Sequence, residues 1–220
     1  MINFAGWWLP DGEVHLPEWM MTVGRKVDGR LTYQYHKYET ALAFCQQRRL
    51  AVDIGAHVGL WSYWMARDFA SVMAFEPHPD HRSCWRLNME DKTNAELFPY
   101  ALGPDMATVA LTTGPSSSGD TYVDRNVVGG DIPQWPLDRF DMQGLDFLKI
   151  DAEGYEVFIL QGAKQTLERH RPVIIVEQKP EHGKKYGISD TAGAALLAEW
   201  GYRQRKVING DFILTPSEWH

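Results

Sequence analysis

Cysteine is scarce: Cys45 and Cys84 are the only two in 220 residues. Both fall in segments with helical patterning, which argues against a disulfide framework or a cysteine metal knuckle. No stretch approaches the roughly 20 apolar residues of a membrane span. The opening MINFAGWWLPDG has neither the basic start nor the long apolar centre of an export signal. A reducing, cytoplasmic setting with no membrane partner is the resulting expectation. Positive charge is also short, with 22 Lys and Arg against 29 Asp and Glu. Phosphate-rich partners are held mainly by Lys and Arg, so nucleic acid is a poor fit, and the run Arg203–Lys206 reads as a solvated edge strand. Internal repeats and low-complexity segments are missing as well. One well-buried domain is expected at this length.

What is present is concentrated in residues 50–76. An apolar strand, 50–54, carries Asp53 near its end and runs into Gly55-Ala56-His57-Val58-Gly59. An amphipathic helix is predicted from about Leu60. A second apolar strand, 72–75, ends in Glu76-Pro77, with Glu76 placed 23 residues beyond Asp53. An acidic residue at the tip of the second strand of a βαβ unit is placed to accept hydrogen bonds from two ribose hydroxyls. Gly55 and Gly59 let backbone approach a ligand closely. A dinucleotide loop, G-x-G-x-x-G, is absent. Here a carboxylate leads the loop and His57 takes the place of its middle glycine, which disfavours pyrophosphate and favours a ligand with a positive amino-acid end, such as S-adenosylmethionine. Asp53 is expected to hold the methionine end, directly or through water. The plainer alternative is a carboxylate that only caps the next helix.

Along the rest of the chain, residues 1–37 read as a small aromatic-rich extension with turns at Asp11-Gly12 and Asp28-Gly29. Its tryptophans, Trp7, Trp8 and Trp19, either close one edge of the core or form a lid over a substrate site. Helices are expected near 38–48 and from His78 to about Glu90, the second with Pro79 in its first turn. A third strand is placed at about 96–101. Residues 104–146 are less regular and look like an insertion that builds a substrate-binding surface. A strand over 146–150 follows. Next comes one helix with Val157, Leu160, Ala163 and Leu167 on a single face. A buried strand is expected over 172–177, and a helix from about Asp190 to Trp200 capped by Ser189 or Asp190. The tail is a hairpin turning at Asn209-Gly210. The order predicts a doubly wound α/β fold: a mostly parallel seven-stranded sheet, Rossmann-like, ending in one antiparallel hairpin. That is the class I methyltransferase architecture.

Several stretches together resemble the FkbM family of S-adenosylmethionine-dependent methyltransferases. They are VDIGAHVGLWS (52–62), AFEP (74–77), YALG (100–103), PLD (136–138), FLKIDAEGYEVFILQGA (147–163) and RPVIIVE (171–177). His57 stands where members of that family often carry asparagine. The resemblance implies methyl transfer, most often to an oxygen of a sugar-like or polyketide-like small molecule. It also implies that Ala101 and Leu102 bracket the adenine.

Beyond the fourth strand, Asp151 and Glu153 reach the edge of the sheet where open α/β folds bind ligands. Asp151 is expected to face cofactor or substrate, and Glu153 to sit at a helix N-terminus. Asp151, Glu177 and His182 are candidates for a carboxylate–imidazole base acting on a hydroxyl. Asp151 and Glu177 are alternatively candidate ligands of a Mg²⁺ that acidifies it. The plainer view of His182 is a solvated loop residue. A second activity, 2′-hydroxyl methylation of RNA, is suggested by Lys37, Asp151, Lys164 and Glu177 occurring in that order. A non-catalytic S-adenosylmethionine-binding module is a third reading.

Overall fold

Strand Leu50–Ile54 (β1) is buried along its whole length, as an apolar run between helical layers must be. It pairs in parallel with Ser71–Phe75 (β2), which pairs in parallel with Ala95–Phe98 (β3). On its other side β1 meets Leu145–Ile150 (β4), and β4 meets Val173–Glu177 (β5), both in parallel. The closing pair, Tyr202–Ile208 (β6) and Asp211–Pro216 (β7), is antiparallel, and β7 inserts beside β5. The sheet order is β6-β7-β5-β4-β1-β2-β3. This computed structural model describes residues 1–114 and 117–219. The two strand tips that carry Asp53 and Asp151 are therefore neighbours at the centre of the sheet, with Glu76 one strand away.

The turn between β6 and β7 is the one its sequence demands, since Asn209 and Gly210 both take positive φ, 49° and 87°, as a type I′ hairpin requires. Other elements agree with expectation only in part. The expected turns form at Asp11-Gly12, closed by Glu13 N donating to Pro10 O at 3.3 Å, and at Asp28-Gly29, which turns a second short hairpin; the first hairpin, Ile2–Phe4/Trp7–Leu9, turns at Ala5-Gly6, which was not foreseen. The helix expected near 38–48 occupies Tyr35–Leu42. The single helix expected after β4 is two, Glu156–Gln161 and Lys164–His170. They break at Gly162, where a Cβ would stand 2.0 Å from the carbonyl oxygen of Gly103. The last helix spans Ala192–Glu199 with no side-chain cap. Asp190 turns away to accept from the amides of Glu181 and Gly183, and Gln178 Oε1 accepts from Gly193 and Ala194 instead.

Residues 104–146 are more ordered than their composition suggests. Ala107–Thr113, Thr121–Asp124 and Ile132–Trp135 join Ala101–Leu102 in a second, four-stranded sheet. The strand expected at 96–101 is thereby divided between the two sheets. Residues 115–116 of the Gly114–Asp120 stretch lie outside the described residues.

The N-terminal segment is built into the main core. Trp7, Leu9, Leu16 and Met20 are buried in the same apolar cluster as Trp64, Met65 and Phe147. Asn88 fastens it: its side chain accepts from Trp8 N at 2.7 Å and donates to Trp8 O at 2.9 Å and Val58 O at 2.7 Å. Among the described residues no helix is long and apolar enough to cross a membrane.

Candidate active site

A cleft of about 1130 Å³, counted to its open mouth, lies over the C-terminal tips of β1, β2, β4 and β5. The glycine loop leads into it because of close backbone packing. Gly55 takes φ +71°, and a Cβ there would lie 1.8 Å from the carbonyl oxygen of Asp151, so only glycine lets these two loops meet. Of the residues expected to bind cofactor, Gly55, Ala56, His57, Glu76, Pro77, Ala101 and Leu102 all line the cleft. Asp53 and Gly59 do not. Gly59 starts the following helix in the left-handed region, φ +91°, pressed against the Trp85 ring.

Asp53 stands behind the wall, fully buried. Its Oδ2 accepts from Ser62 Oγ at 2.6 Å, and Ser62 Oγ in turn accepts from Trp85 Nε1 at 3.0 Å. Its Oδ1 lies 3.1 Å from Lys149 Nζ. Lys149, and not Asp53, lines the cleft. Lys149 also donates to Gly55 O at 3.0 Å and lies 3.8 Å from Asp151 Oδ2. Burial disfavours its charge, but Asp53 and Asp151 outweigh that and raise its pKa. Sequence reasoning missed Lys149, although the one positive charge in the otherwise mostly apolar strand Leu145–Ile150 was a visible signal.

Glu76 is held from three sides. Its Oε2 accepts from His57 N at 2.8 Å, and its Oε1 accepts from His78 N at 2.8 Å with His81 Nδ1 at 3.2 Å. Burial works to raise its pKa, but the neighbouring imidazoles and the His78 amide hold it below the usual carboxylate range. Glu76 is thus a fixed anion with unused lone pairs at the cleft wall. His57, at φ 51°, is pushed down to about 3 by burial and then by His81, so its ring is neutral at physiological pH. Its Nε2 lies 2.9 Å from Ser118 Oγ. Ser118 also donates, through both N and Oγ, to Glu13 Oε2. The N-terminal segment, the inserted sheet and the glycine loop are joined there across the cleft. His15, Leu16, Tyr33 and Gln34 from the first, and Asp120 and Tyr122 from the second, also line it.

At the β4/β5 end, Asp151 and Glu177 line the cleft together with Glu153 and Lys179, while His182 lies behind them. His182 Nδ1 is 3.2 Å from Glu153 Oε2 and 3.9 Å from Glu177 Oε2. Glycine again permits this, since a Cβ on Gly154, φ +100°, would stand 2.4 Å from His182 O. The expected trio Asp151, Glu177 and His182 is therefore corrected in one respect: Glu153, at φ 55°, occupies the position between the imidazole and the cleft. Lys179 Nζ is 2.6 Å from Glu177 Oε1 and 3.9 Å from Glu153 Oε1. Burial, then the Asp151 charge, raises the pKa of both Glu153 and Glu177. Asp151 is lowered, since Lys149 and Lys179 overcome its own burial. Of the residues grouped for RNA methylation, Asp151 and Glu177 share the cleft, while Lys37 and Lys164 do not line it. Lys37 is buried in an ion pair with Asp211, and Lys164 is exposed on its helix 3.9 Å from Glu168.

The FkbM methyltransferase domain model matches residues 53–203, which is most of the chain. The chain belongs to the FkbM methyltransferase family. No curated protein matches it. The FkbM chain's fold is shared by solved structures of low identity. A methyltransferase FkbM from Methylobacillus flagellatus KT aligns with TM-score 0.50 at 18% identity, over 76% of this chain and 43% of that one. The FkbM chain described here thus spans less than half of that relative's length. Precorrin-6y C5,15-methyltransferase from Geobacter metallireducens GS-15 aligns with TM-score 0.51 at 16% identity, over 87% and 92% of the two chains. A protein from Streptococcus mutans solved in complex with SAH gives TM-score 0.51 at 9% identity, over 83% and 96%.

Proposed function

We propose that this chain transfers the methyl group of S-adenosylmethionine to a hydroxyl of a sugar-like or other small acceptor. The reading is carried by one observation: Glu76, fixed by the His57 and His78 amides, presents its carboxylate to the same cleft as Gly55–His57 and Lys149. Glu76 accepts from the ribose hydroxyls. Lys149, oriented by Asp53, meets the methionine carboxylate, and the Gly55 segment lines that end. Ala101 and Leu102 flank the adenine. Residues 1–37 act as an extension that completes one wall, and residues 104–146 as the substrate-facing insert on the 38–220 domain. Tyr33, Asp120 and Tyr122 offer hydroxyl and carboxylate groups of the kind that bind polyols.

In-line attack on a sulfonium methyl needs an oriented acceptor oxygen about 3–3.5 Å away and a place for its proton. Asp151, Glu153 and Glu177 supply carboxylates at the acceptor end. Glu153 and Glu177, with proton affinity raised by burial, suit proton acceptance better than an ordinary carboxylate. His182 then acts by positioning Glu153. Calorimetry with S-adenosylhomocysteine tests the cofactor half. Wild type binds, and Glu76→Gln binds at least ~10-fold more weakly, the loss expected for one charge-assisted hydrogen-bond site. Unchanged affinity would remove Glu76 from the ribose and with it the reading.

A further inference from the structure

The β4/β5 side of the cleft and the core behind it carry more negative charge than their ammonium groups neutralise. Asp53, Asp151, Glu153, Glu177 and Asp211 face Lys37, Lys149 and Lys179 through five close carboxylate–ammonium approaches. Five carboxylates against three ammonium groups leave two negative charges without a counter-charge. Either two protons or one divalent cation can balance them, and the placement of unpaired atoms distinguishes a location. Glu177 is 2% exposed, and neither of its oxygens accepts a hydrogen bond. Among the described residues Oε1 has the Lys179 ammonium at 2.6 Å and Oε2 makes no hydrogen bond, with the Asp151 carboxylate alongside as a neighbour that can share a proton. The buried Nδ1 of His182 lies 3.2 Å from Glu153 Oε2 and 3.9 Å from Glu177 Oε2 but makes no well-aligned hydrogen bond among the described residues.

The geometry points to a divalent cation site formed by Glu153, Glu177 and His182. Each offers one ligand atom, and the three atoms lie within 4.8 Å of one another. Bonds of about 2.1 Å place two ligands of one ion at most about 4.2 Å apart, so modest side-chain adjustment closes the site. Asp151 is outside this ligand set, and an imidazole nitrogen is inside it. Mixed nitrogen and oxygen donors suit Mn²⁺, Fe²⁺ or Zn²⁺ better than Mg²⁺, which prefers oxygen and water. Lys179 now occupies the cation position. Its side chain is 37% exposed, so the ammonium has solvent to move into when a metal enters. Glu153 and Glu177 both face the cleft, leaving remaining coordination positions open to a ligand oxygen. That the oxygen belongs to a methyl acceptor rests on the function proposed above, whereas the ion itself does not.

Titration of the chelator-treated full chain with Mn²⁺, followed by electron paramagnetic resonance and calorimetry, tests the site. One equivalent per chain is expected. His182→Ala and Glu177→Gln should each weaken binding by ~10- to 100-fold, and Lys179→Met, which removes the competing ammonium, should tighten it. Circular dichroism of the metal-free variants checks their folding, and His182→Ala, on a surface loop, keeps the test alive if Glu177→Gln fails to fold. No saturable binding of Mn²⁺ or Zn²⁺, or binding untouched by His182→Ala, would overturn the site. S-adenosylhomocysteine affinity of the same metal-free protein reports on the cofactor site alone, so the two readings fail separately.

Discussion

Lys149 and Asp53 show how one buried pair sets the floor of the cleft. Both are almost wholly shielded from water, so each makes the other tolerable. Removing one partner of such a pair costs about 3–5 kcal/mol, because the survivor is left as an uncompensated buried charge. Lys149→Met is therefore expected to lose about that much stability in urea titration, and Lys149→Met/Asp53→Asn to recover a large part of it. A loss in the double variant equal to the sum of the two single-variant losses would mean that the pair carries no coupling. His57 belongs to the same scale but titrates. It is held at about 3 in the folded chain, against an ordinary 6.5. Between those values the unfolded chain binds the extra proton, so stability rises with pH. The contribution is complete above 6.5 and is lost as pH falls toward 3, by up to about 1.4 kcal/mol per pH unit. Thermal midpoints from pH 7 to pH 4 should fall more steeply for wild type than for His57→Asn, which has no such proton to bind.

Elements were legible in the sequence to the extent that their pairing is local. Strand Leu50–Ile54, the glycine loop and strand Ser71–Phe75 follow one another and lie side by side, so apolar runs and turn residues sufficed to place Glu76. Strand Ile132–Trp135 pairs in parallel with Ala101–Leu102 and antiparallel with Ala107–Thr113. Such out-of-order contacts leave no periodic trace, and the second sheet read as an irregular insert. The split at Gly162 was hidden for the same reason, because the carbonyl that forbids a side chain there belongs to Gly103, far away in sequence. Asp53, expected at the methionine end, stands one layer behind the cleft: its neighbour across the β1/β4 register is Lys149, which no pattern within 50–76 discloses. Gly55 is where these layers touch. Gly55→Ala must hold a positive φ and open a 1.8 Å clash with backbone, which no rotamer change relieves. Loss of more than about 3 kcal/mol is expected, read as failure of cooperative unfolding or a sharply lowered midpoint. A near-native midpoint would show that the Asp151 loop is not fixed against the glycine loop.

For the whole molecule, the question is whether the N-terminal segment is an appendage or part of the fold. Trp7, Leu9, Leu16 and Met20 are each at most 3% exposed in the main core. Burial of each contributes roughly 1.5–3 kcal/mol, so the four together contribute about 6–12 kcal/mol. That is comparable with the 5–15 kcal/mol that holds a typical domain folded. A chain lacking residues 1–34 should accordingly lose its cooperative transition and bind a hydrophobic dye. A truncated chain that unfolds cooperatively would show the segment to be separable. The same segment closes over the cleft through Glu13, whose Oε2 receives Ser118, which in turn contacts His57 Nε2 at 2.9 Å. Under the proposed function, cofactor exchange is expected to open this bridge. Ser118→Ala removes the shared hydroxyl while sparing the backbone donation to Glu13 at 2.9 Å, so folding should change little. One charge-assisted hydrogen bond is worth about 1.5–3 kcal/mol, and release of S-adenosylhomocysteine in stopped-flow displacement should quicken by ~10-fold or more. An unaltered release rate would mean that cofactor exchanges by a route that leaves Glu13 and Ser118 joined.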